Sequence, residues 1–531
     1  MSSENSTPTP SQTPSEPAST PSPTPEAATE NQQLETKQPK GLYWLFGAEA
    51  WERFSYYGMR AILVLYLVNQ LEFDRQNALA LYGVYTGLVY LTPLIGGYLS
   101  DRFLGARKAV IIGGCTMALG ELLLAIPSLL YPALALLILG NGFFKPNISN
   151  IVGGLYHEND PRRDGGFTIF YMGINLGAFF SPLVCGTLGQ SFGWGWGFVA
   201  AGIGMIIGQI IFNLGQSRFN GAGMPPNFKG TVEEAHLHTK DYLEVAGWIG
   251  GIIVLTFLSH GLWQQAGQAL FDSPLPLAVL FAVLITLGLA AYAKKRDAQT
   301  KGETDSVQES QPLTIEEIHR LAVIVILAFF VTFFWMGFEQ AGGTMTLFAE
   351  QQTQREYFLN GELFTIPASW FQSINPFVIC TFAPLFSILW LKWDNSKYAI
   401  SVPAKMGIGM IILGLGFIVM FIGSNLAADG AKVSPMWLVS VYFLHTMGEL
   451  CLSPVGLSMV SKLSPQRFMS LMMGFWFLSS AAANYCAGIL EHTLSRFHID
   501  MWFFLICSSL SAGVLVILLT PLLKKWMHGK A

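Results

Sequence analysis

The chain has 531 residues, of which 52% are hydrophobic and only 12% are charged. This balance excludes a soluble globular protein of the same size and indicates a polytopic membrane protein. The formal net charge of −4 gives no indication of a nucleic-acid partner.

Residues 1–40 form a segment of a different kind, rich in Pro, Ser and Thr. Met1 and Leu34 are its only large apolar residues, so it cannot bury enough surface to offset chain entropy. We expect a disordered cytoplasmic tail, either a plain solvated leader or a region for regulatory phosphorylation. It has neither the apolar core of a signal peptide nor the arginines of a transit peptide.

Apolar runs follow, each near the ~20 residues with which a helix crosses a bilayer. They divide into a block of six, a pair and a second block of six, which predicts an all-α protein of 14 spans. The predicted domains are an N-terminal six-helix bundle (41–216), a linker with two inserted helices (217–318) and a C-terminal six-helix bundle (319–531). The predicted spans are 42–69, 78–100, 108–128, 131–155, 167–190 and 194–215, then 242–262 and 274–293, then 319–349, 367–391, 399–423, 435–460, 467–490 and 500–523.

Lys and Arg are enriched in the cytoplasmic loops of membrane proteins, so their distribution tests the orientation. With a cytoplasmic N-terminus, 23 of the 30 Lys and Arg residues fall in inside segments, and three fall within spans. Only four remain outside, namely Arg75, Arg355, Lys432 and Arg496. This alternation predicts that both termini are cytoplasmic.

The first span carries four charges and two tyrosines on one side. At about 100° per residue they fall within an arc of about 140° and form one polar stripe. Charges at mid-membrane cost at least ~2.5 kcal/mol each, so the stripe should face the bundle interior or a wet cavity, and its charges should pair. An ion-pair cluster that only fixes helix register is the alternative. The stripe consists of Glu49, Glu52, Arg53, Tyr56, Tyr57 and Arg60.

The loop between the second and third spans reads GGYLSDRFLGARKAV (96–110). It combines a Gly-rich helix end, an Asp able to meet a helix N-terminus, and Arg107 and Lys108 at the cytoplasmic surface. An ordinary basic loop is the alternative interpretation. The stretch resembles the loop signature of the major facilitator superfamily, which implies two six-helix bundles around a central cavity.

Five segments are similar to signature motifs of the proton-dependent oligopeptide transporter family, in its bacterial form with two inserted helices. The resemblance extends over about residues 41–525, and Ala178 and Phe179 depart from the family pattern. It implies a proton-coupled symporter that imports di- and tripeptides by alternating access across the inner (cytoplasmic) membrane. The segments are ExxERFxYYG (49–58), GNGFFKPNIS (140–149), FYMGINLGAFFSP (170–182), FFWMGFEQAGGT (333–344) and GELCLSPVG (448–456).

The residues themselves agree with this interpretation. Lys145 lies in mid-span and precedes Pro146, so an ammonium group and a helix distortion coincide. Glu449 has His445 one turn before it and Ser453 one turn after it, which makes a second polar stripe. His445 is more typical of a buried side chain with a hydrogen-bond partner than of a proton site. Glu121, deep in the third span, matches no motif and fits a role as a hydrogen-bond partner of a neighbour.

A short peptide is a zwitterion, so a site that tolerates many side chains needs cations at one end and an anion at the other. Arg53 and Lys145 can supply the cationic end and Glu449 the anionic end, while asparagines bind the peptide backbone and aromatic rings form adaptable walls. The resemblance implies substrate-binding positions at Arg53, Tyr57, Tyr90, Lys145, Asn175, Trp335, Glu339, Asn375, Glu449, Ser453 and Trp476.

Proton coupling is predicted at Glu49, Glu52 and Arg53. An ionised Glu49 or Glu52 would hold Arg53, and protonation would release the guanidinium for the peptide carboxylate, so that proton and peptide favour each other's binding. The resemblance also implies two gating salt bridges between the bundles, one joining Arg60 to Glu339 and one joining Lys145 to Glu449.

Other functions stay open at this point. A carrier of nitrate or another small anion would have no need for Glu449, and a drug exporter would work by antiport. A receptor without transport is a further alternative. An enzyme is not predicted, because HExxH, GxSxG and a paired Asp site are not found. The six cysteines lie singly in apolar stretches, so we predict no metal site and no cofactor.

Overall fold

The computed structural model describes residues 37–157, 160–226, 228, 230–231, 235–258, 314–397 and 399–530. Within these ranges the chain is almost entirely helical, which confirms the all-α prediction. The predicted tail up to residue 36 and the predicted span 274–293 lie outside the described residues.

Seven long helices make up the described chain before residue 259, and each coincides with a predicted span to within about four residues at either end. Local chemistry sets some of these ends: the Asp74 side chain accepts a hydrogen bond from the Asn77 backbone and so caps the second helix. The helices are α1 (Lys40–Asn69), α2 (Arg75–Leu99), α3 (Ala106–Leu124), α4 (Leu130–Gly154), α5 (Arg163–Phe192), α6 (Trp194–Gly215) and α7 (Thr239–Leu258).

The described chain after residue 313 begins with a capping box, in which Thr314 and Glu317 bond each other's backbone. The predicted span 319–349 is interrupted: a 3-10 turn, Glu339–Gly342, separates two helices, because Gly343 adopts a non-helical backbone (φ −109°, ψ −103°). The helices are α8 (Ile315–Phe338), α9 (Thr344–Gln351), α10 (Ile374–Asp394), α11 (Val402–Leu426), α12 (Met436–Leu463), α13 (Met469–Ser495) and α14 (Met501–Trp526).

Ten helical segments of the described chain are long and apolar enough to cross a membrane by length and composition. Helices α1, α3 and α13 are not among them, and in α1 the charged stripe lowers the mean hydropathy. The 30 residues of α1 would nevertheless extend about 45 Å, more than the ~30 Å hydrocarbon core. We therefore treat α1 as a span whose charges face protein rather than lipid.

A β-hairpin between α9 and α10 was not predicted from the sequence. Strands β1 (Glu356–Leu359) and β2 (Glu362–Thr365) pair antiparallel. Asn360 and Gly361 connect them, both with positive φ (51° and 88°). Asn-Gly is the dipeptide most typical of such two-residue hairpin turns, so the sequence did contain a signal for this hairpin.

The two halves of the chain contact each other near the end of α1 and the start of α2. The Arg75 Nε lies 2.7 Å from Glu491 Oε1 on α13, and the Asn69 amide donates to Glu350 at 2.8 Å. Helices α2 and α13 also approach closely, because a Cβ added to Gly83 would lie only 2.6 Å from the Cα of Gly488. The protein is therefore held together at the side that the predicted topology places outside.

Helix α7, which corresponds to the first of the two predicted inserted spans, docks against the first half through Arg107 and Lys108 at the start of α3. Lys108 Nζ lies 2.7 Å from Asp241 and 2.6 Å from Glu244, both on α7. Arg107 donates to the backbone oxygens of Ala222 (2.8 Å) and Ala235 (2.7 Å). Both side chains are therefore buried against other parts of the chain rather than exposed to solvent, and their predicted place at the cytoplasmic end of the spans stays a prediction.

Candidate functional site

The charged stripe of α1 is buried, as its cost in a membrane requires. Glu49, Glu52 and Arg53 are 2%, 1% and 4% exposed, and Arg60 is 8% exposed. The apolar residues on the rest of the helix pack against α5 and α6, so the stripe faces the interior of the protein.

Arg53 is held by both neighbouring carboxylates. Its Nε donates a hydrogen bond to Glu49 Oε1 at 2.8 Å and lies 2.6 Å from Glu52 Oε2. In the described chain the Glu52 oxygens nevertheless have no hydrogen-bond partner, because the N–H of this atom points towards Glu49. Glu52 is therefore held by charge alone, whereas Glu49 is held by charge and by a directed hydrogen bond.

Arg60 joins the two halves. Its guanidinium forms a buried ion pair with Glu339, and its Nε donates to the Tyr82 hydroxyl at 2.6 Å. Glu339 occupies this place because α8 ends at Phe338 and the following 3-10 turn carries the carboxylate towards α1. The structure thus brings together the first of the two predicted gating pairs.

A cavity of about 210 Å³ lies between the two halves. Arg60 lines it from α1, and Glu339 and Glu449 line it from the second half, so charges of both signs reach the same space. Eight of the eleven predicted substrate-binding residues line the cavity, namely Tyr57, Tyr90, Asn175, Trp335, Glu339, Asn375, Glu449 and Ser453.

Glu449 is held in the cavity by a neutral group. Asn375 donates through its amide to Glu449 Oε2 at 2.8 Å and to the Thr446 hydroxyl at 3.0 Å. The sequence predicted that Asn375 binds the peptide backbone, but in this conformation the two hydrogens of its amide are already directed at protein atoms. Asn175 likewise donates to the Tyr171 backbone oxygen at 3.0 Å.

Lys145 does not pair with Glu449 in the described chain. Its ammonium lies over the Tyr90 ring, 4.2 Å from the ring centroid, in a cation–π contact. Tyr90 lines the cavity, so its ring lies between the Lys145 ammonium and the cavity. The predicted gating pair of Lys145 and Glu449 is therefore open in this conformation and stays a prediction.

Three predicted binding residues do not line the cavity: Arg53, Lys145 and Trp476. The two cations are engaged by the carboxylates and the aromatic ring described above. Trp476 is 5% exposed and packs against α12, where a Cβ added to Gly456 would lie 2.6 Å from its ring.

Sequence reasoning also missed residues of the site. Tyr442 and Thr446 line the cavity and continue the stripe of His445, Glu449 and Ser453 along α12, at three- to four-residue spacing that could have identified them. His445, expected to be an interior side chain, is 2% exposed and packs on Phe417 at 4.5 Å between ring centroids. Gln372 lies in a 3-10 turn, for which no periodic signal exists.

Comparisons with known proteins agree with this geometry. A family model described as the POT family matches residues 107–504. The chain is 36% identical over 506 residues to the peptide transporter YePEPT of Yersinia enterocolitica, covering 91% of this chain and 94% of that protein. It is 34% identical over 460 residues to a di-/tripeptide transporter of Lactococcus lactis subsp. cremoris, covering 84% and 88%.

A solved structure is similar over almost the whole chain. It is the crystal structure of a peptide transporter POT in complex with sulfate, with 34% sequence identity and a TM-score of 0.75. The match covers 94% of this chain and 99% of that one.

Proposed function

Because the chain belongs to the POT family, we propose that it is a symporter that imports di- and tripeptides together with protons by alternating access. Membership confirms the resemblance identified from the five motifs, and with it the major facilitator fold. The boundaries of the two bundles and of the linker stay predictions.

The observation that carries this proposal is the separation of charge across the cavity. The anions that line it, Glu339 and Glu449, come from the second half, and the cation that lines it, Arg60, comes from the first. Lys145, which like Arg60 belongs to the first half, contacts the ring of Tyr90. A zwitterionic peptide matches this arrangement with its ammonium towards Glu449 and its carboxylate towards the cations.

The geometry around Arg53 supports proton coupling. When Glu49 and Glu52 are ionised, both bind the Arg53 guanidinium, which then does not line the cavity. A proton on Glu52 removes the partner that is held by charge alone, so Arg53 gains freedom to meet a peptide carboxylate. Peptide and proton then stabilise the same state and favour each other's binding.

The states of the two predicted gating pairs support alternating access. Arg60 and Glu339 are joined and the neighbouring ends of α1 and α2 are held to the second half, whereas Lys145 and Glu449 are apart. We propose that the opposite conformation joins Lys145 to Glu449 and parts Arg60 from Glu339.

The distribution of Lys and Arg supports a place in the inner (cytoplasmic) membrane with both termini in the cytoplasm. The end at which the halves are joined is then the outside. Cysteines placed in the β1–β2 turn should react with an impermeant thiol reagent from the outside.

A carrier of small anions is disfavoured by one observation. Glu449 lines the cavity without a cationic partner in the described chain, and an unpaired carboxylate there repels an anionic substrate. Nitrate should therefore fail to compete with a dipeptide for uptake.

The direct test is uptake by proteoliposomes of a panel of di- and tripeptides under an imposed pH gradient. Dialanine should accumulate when the outside is acidic, and a proton-conducting uncoupler should abolish the accumulation. Uptake of dialanine that does not depend on the pH gradient would contradict proton symport. Equal competition by nitrate would contradict a peptide substrate.

A further inference from the structure

Glu121 has no part in the function proposed so far. It lies on α3 and is 1% exposed. One of its carboxylate oxygens, Oε2, has no hydrogen-bond partner in the described chain. A buried carboxylate with an unpartnered oxygen is costly, so its retention calls for an explanation.

A small cavity connects Glu121 with the charged stripe of α1. It has about 10 Å³ of room, close to the space of a single water molecule, and both Glu52 and Glu121 line it. Ser55 and Asn141 line it as well, so a water molecule there has the two to four polar partners that buried water requires.

Several polar atoms around this cavity lack partners in the described chain. Both side-chain atoms of Asn141, which is 1% exposed, and both oxygens of Glu52 make no hydrogen bond there. Together with Glu121 Oε2 they surround one enclosed space. A molecule that both donates and accepts hydrogen bonds would satisfy them, and water is the molecule of that size.

The charges in this region do not balance. Glu49, Glu52 and Glu121 are three buried carboxylates. Arg53 contacts two of them, and Lys145 is the other cation near Glu52. Within the described chain no cation contacts Glu121, so its burial favours the state in which it carries a proton.

We propose that Glu121 and Glu52 share one proton through a water molecule in this cavity, which makes Glu121 a second proton-binding group of the carrier. In the transfer, protonated Glu52 gives its proton to the water oxygen, and the same water gives one of its own protons to Glu121 Oε2. Glu52 becomes a carboxylate, Glu121 becomes neutral, and the water is unchanged. This inference rests on the proposed function, because the proton on Glu52 is the one that drives transport.

The titratable groups that face this pair are few. Within the described chain they are Glu49, Arg53 and Tyr56 on α1, Tyr85 on α2, Lys145 on α4 and Cys185 on α5. The residues of α4 and α6 that line the cavity itself, Asn141 and Met205, do not titrate. Glu52 is therefore the carboxylate with which Glu121 can exchange a proton across this space.

Infrared difference spectra of the purified full-length protein, recorded as the pH is stepped, test the proposal without transport. Wild-type protein should show a C=O stretch of a protonated carboxyl group that E121Q removes. In E52Q the Glu121 band should persist, but its protonation should need a solution more acidic by about one pH unit, because the pair titrates as a unit and a neighbouring negative charge has been removed. A Glu121 band with the same titration in E52Q as in wild type would overturn the proposal, as would the absence of such a band.

Two further variants guard against a folding artefact. Thr116→Val changes a fully buried group on the same helix without removing a carboxyl group, so it should leave the Glu121 band in place. E121D keeps a carboxyl group and should restore a titrating band if E121Q does not fold.

Transport assays distinguish a failure of the Glu121 proposal from a failure of the proposed function on which it rests. In proteoliposomes E121Q should shift the pH of half-maximal driven dialanine uptake by roughly one unit, again because the pair titrates together, while T116V leaves it unchanged. Wild-type protein that fails to accumulate dialanine would defeat the proposed function. Accumulation by wild type with an unchanged pH profile in E121Q would defeat only the role of Glu121.

Discussion

The Asn375 amide lies 2.8 Å from the carboxylate of Glu449 and donates a hydrogen bond to it. Within the described chain Glu449 is therefore oriented by a neutral group and not paired with a cation, which leaves its charge available for the ammonium group of a substrate.

Replacing Glu449 with Gln should weaken the binding of dialanine by about 2–5 kcal/mol, because the substrate ammonium is left without its anionic partner. Binding to the detergent-purified protein can be measured by calorimetry. N-acetyl-dialanine lacks the ammonium group, so its weaker binding should not fall further in the variant. An equal loss for both ligands would show that Glu449 does not bind the peptide N-terminus.

Reversing the charge of Arg60 to Glu should stop peptide accumulation, because two carboxylates then face each other in a buried contact between the halves. The double variant R60E/E339R should recover part of the uptake if the two residues pair directly. Lys432 and Glu356, an exposed pair 3.7 Å apart, provide the matched control, and their reversal should leave uptake unchanged. No recovery in a double variant that folds and inserts would argue against direct pairing.

Glu52→Gln should abolish accumulation of dialanine against a gradient but preserve exchange of labelled for unlabelled peptide. The amide keeps the shape of the side chain and carries no charge, so the proton no longer biases the cycle, whereas exchange needs no net proton movement. Glu49→Gln should behave similarly if the two carboxylates share the proton. Glu356→Gln, in the exposed hairpin, serves as the control. If E52Q accumulates dialanine to the wild-type level, Glu52 is not essential to proton coupling, and Glu339 and Glu449 become the next candidates.

Replacing Lys108 with Met should lower stability by about 1–3 kcal/mol, because Asp241 and Glu244 lose their shared buried cation. The expected loss of stability is modest, since Glu244 is partly exposed and solvent screens its charge. The thermal midpoint in detergent should fall, and adding D241N and E244Q should raise it again. A midpoint that does not recover would assign the loss to side-chain packing rather than charge.

Asp160 provides a test outside the spans. Hydrogen bonds from Arg162 lower the pKa of Asp160 to about 2. Because the folded pKa lies below the ordinary value, the pair contributes stability above pH ~4 and loses it as the pH falls towards 2. It therefore keeps its charge at the mildly acidic pH of uptake measurements, and D160N should not alter the pH profile of transport above pH ~5.

The helices and the buried stripe of α1 could be predicted because apolar run length and helical periodicity are local properties of the chain. The separation of Arg53 from the cavity could not, because it depends on how Glu49 and Glu52 hold the guanidinium in the folded protein. The hydrogen bond from Asn375 to Glu449 depends on how α10 crosses α12, and no pattern in either segment predicts that crossing. The interruption at Glu339 had a weak local signal in Gly342 and Gly343, which an apolar run of that length concealed.

The hairpin of β1 and β2 has a practical consequence for imaging. A carrier of this kind has little mass beyond the bilayer, so its particles are hard to orient in electron micrographs. The hairpin projects from the chain, with Phe358 80% and Leu363 59% exposed, and its Asn360–Gly361 turn fixes its shape. An antibody fragment raised against this short, exposed epitope would give the particles a recognisable marker while leaving the cavity residues untouched.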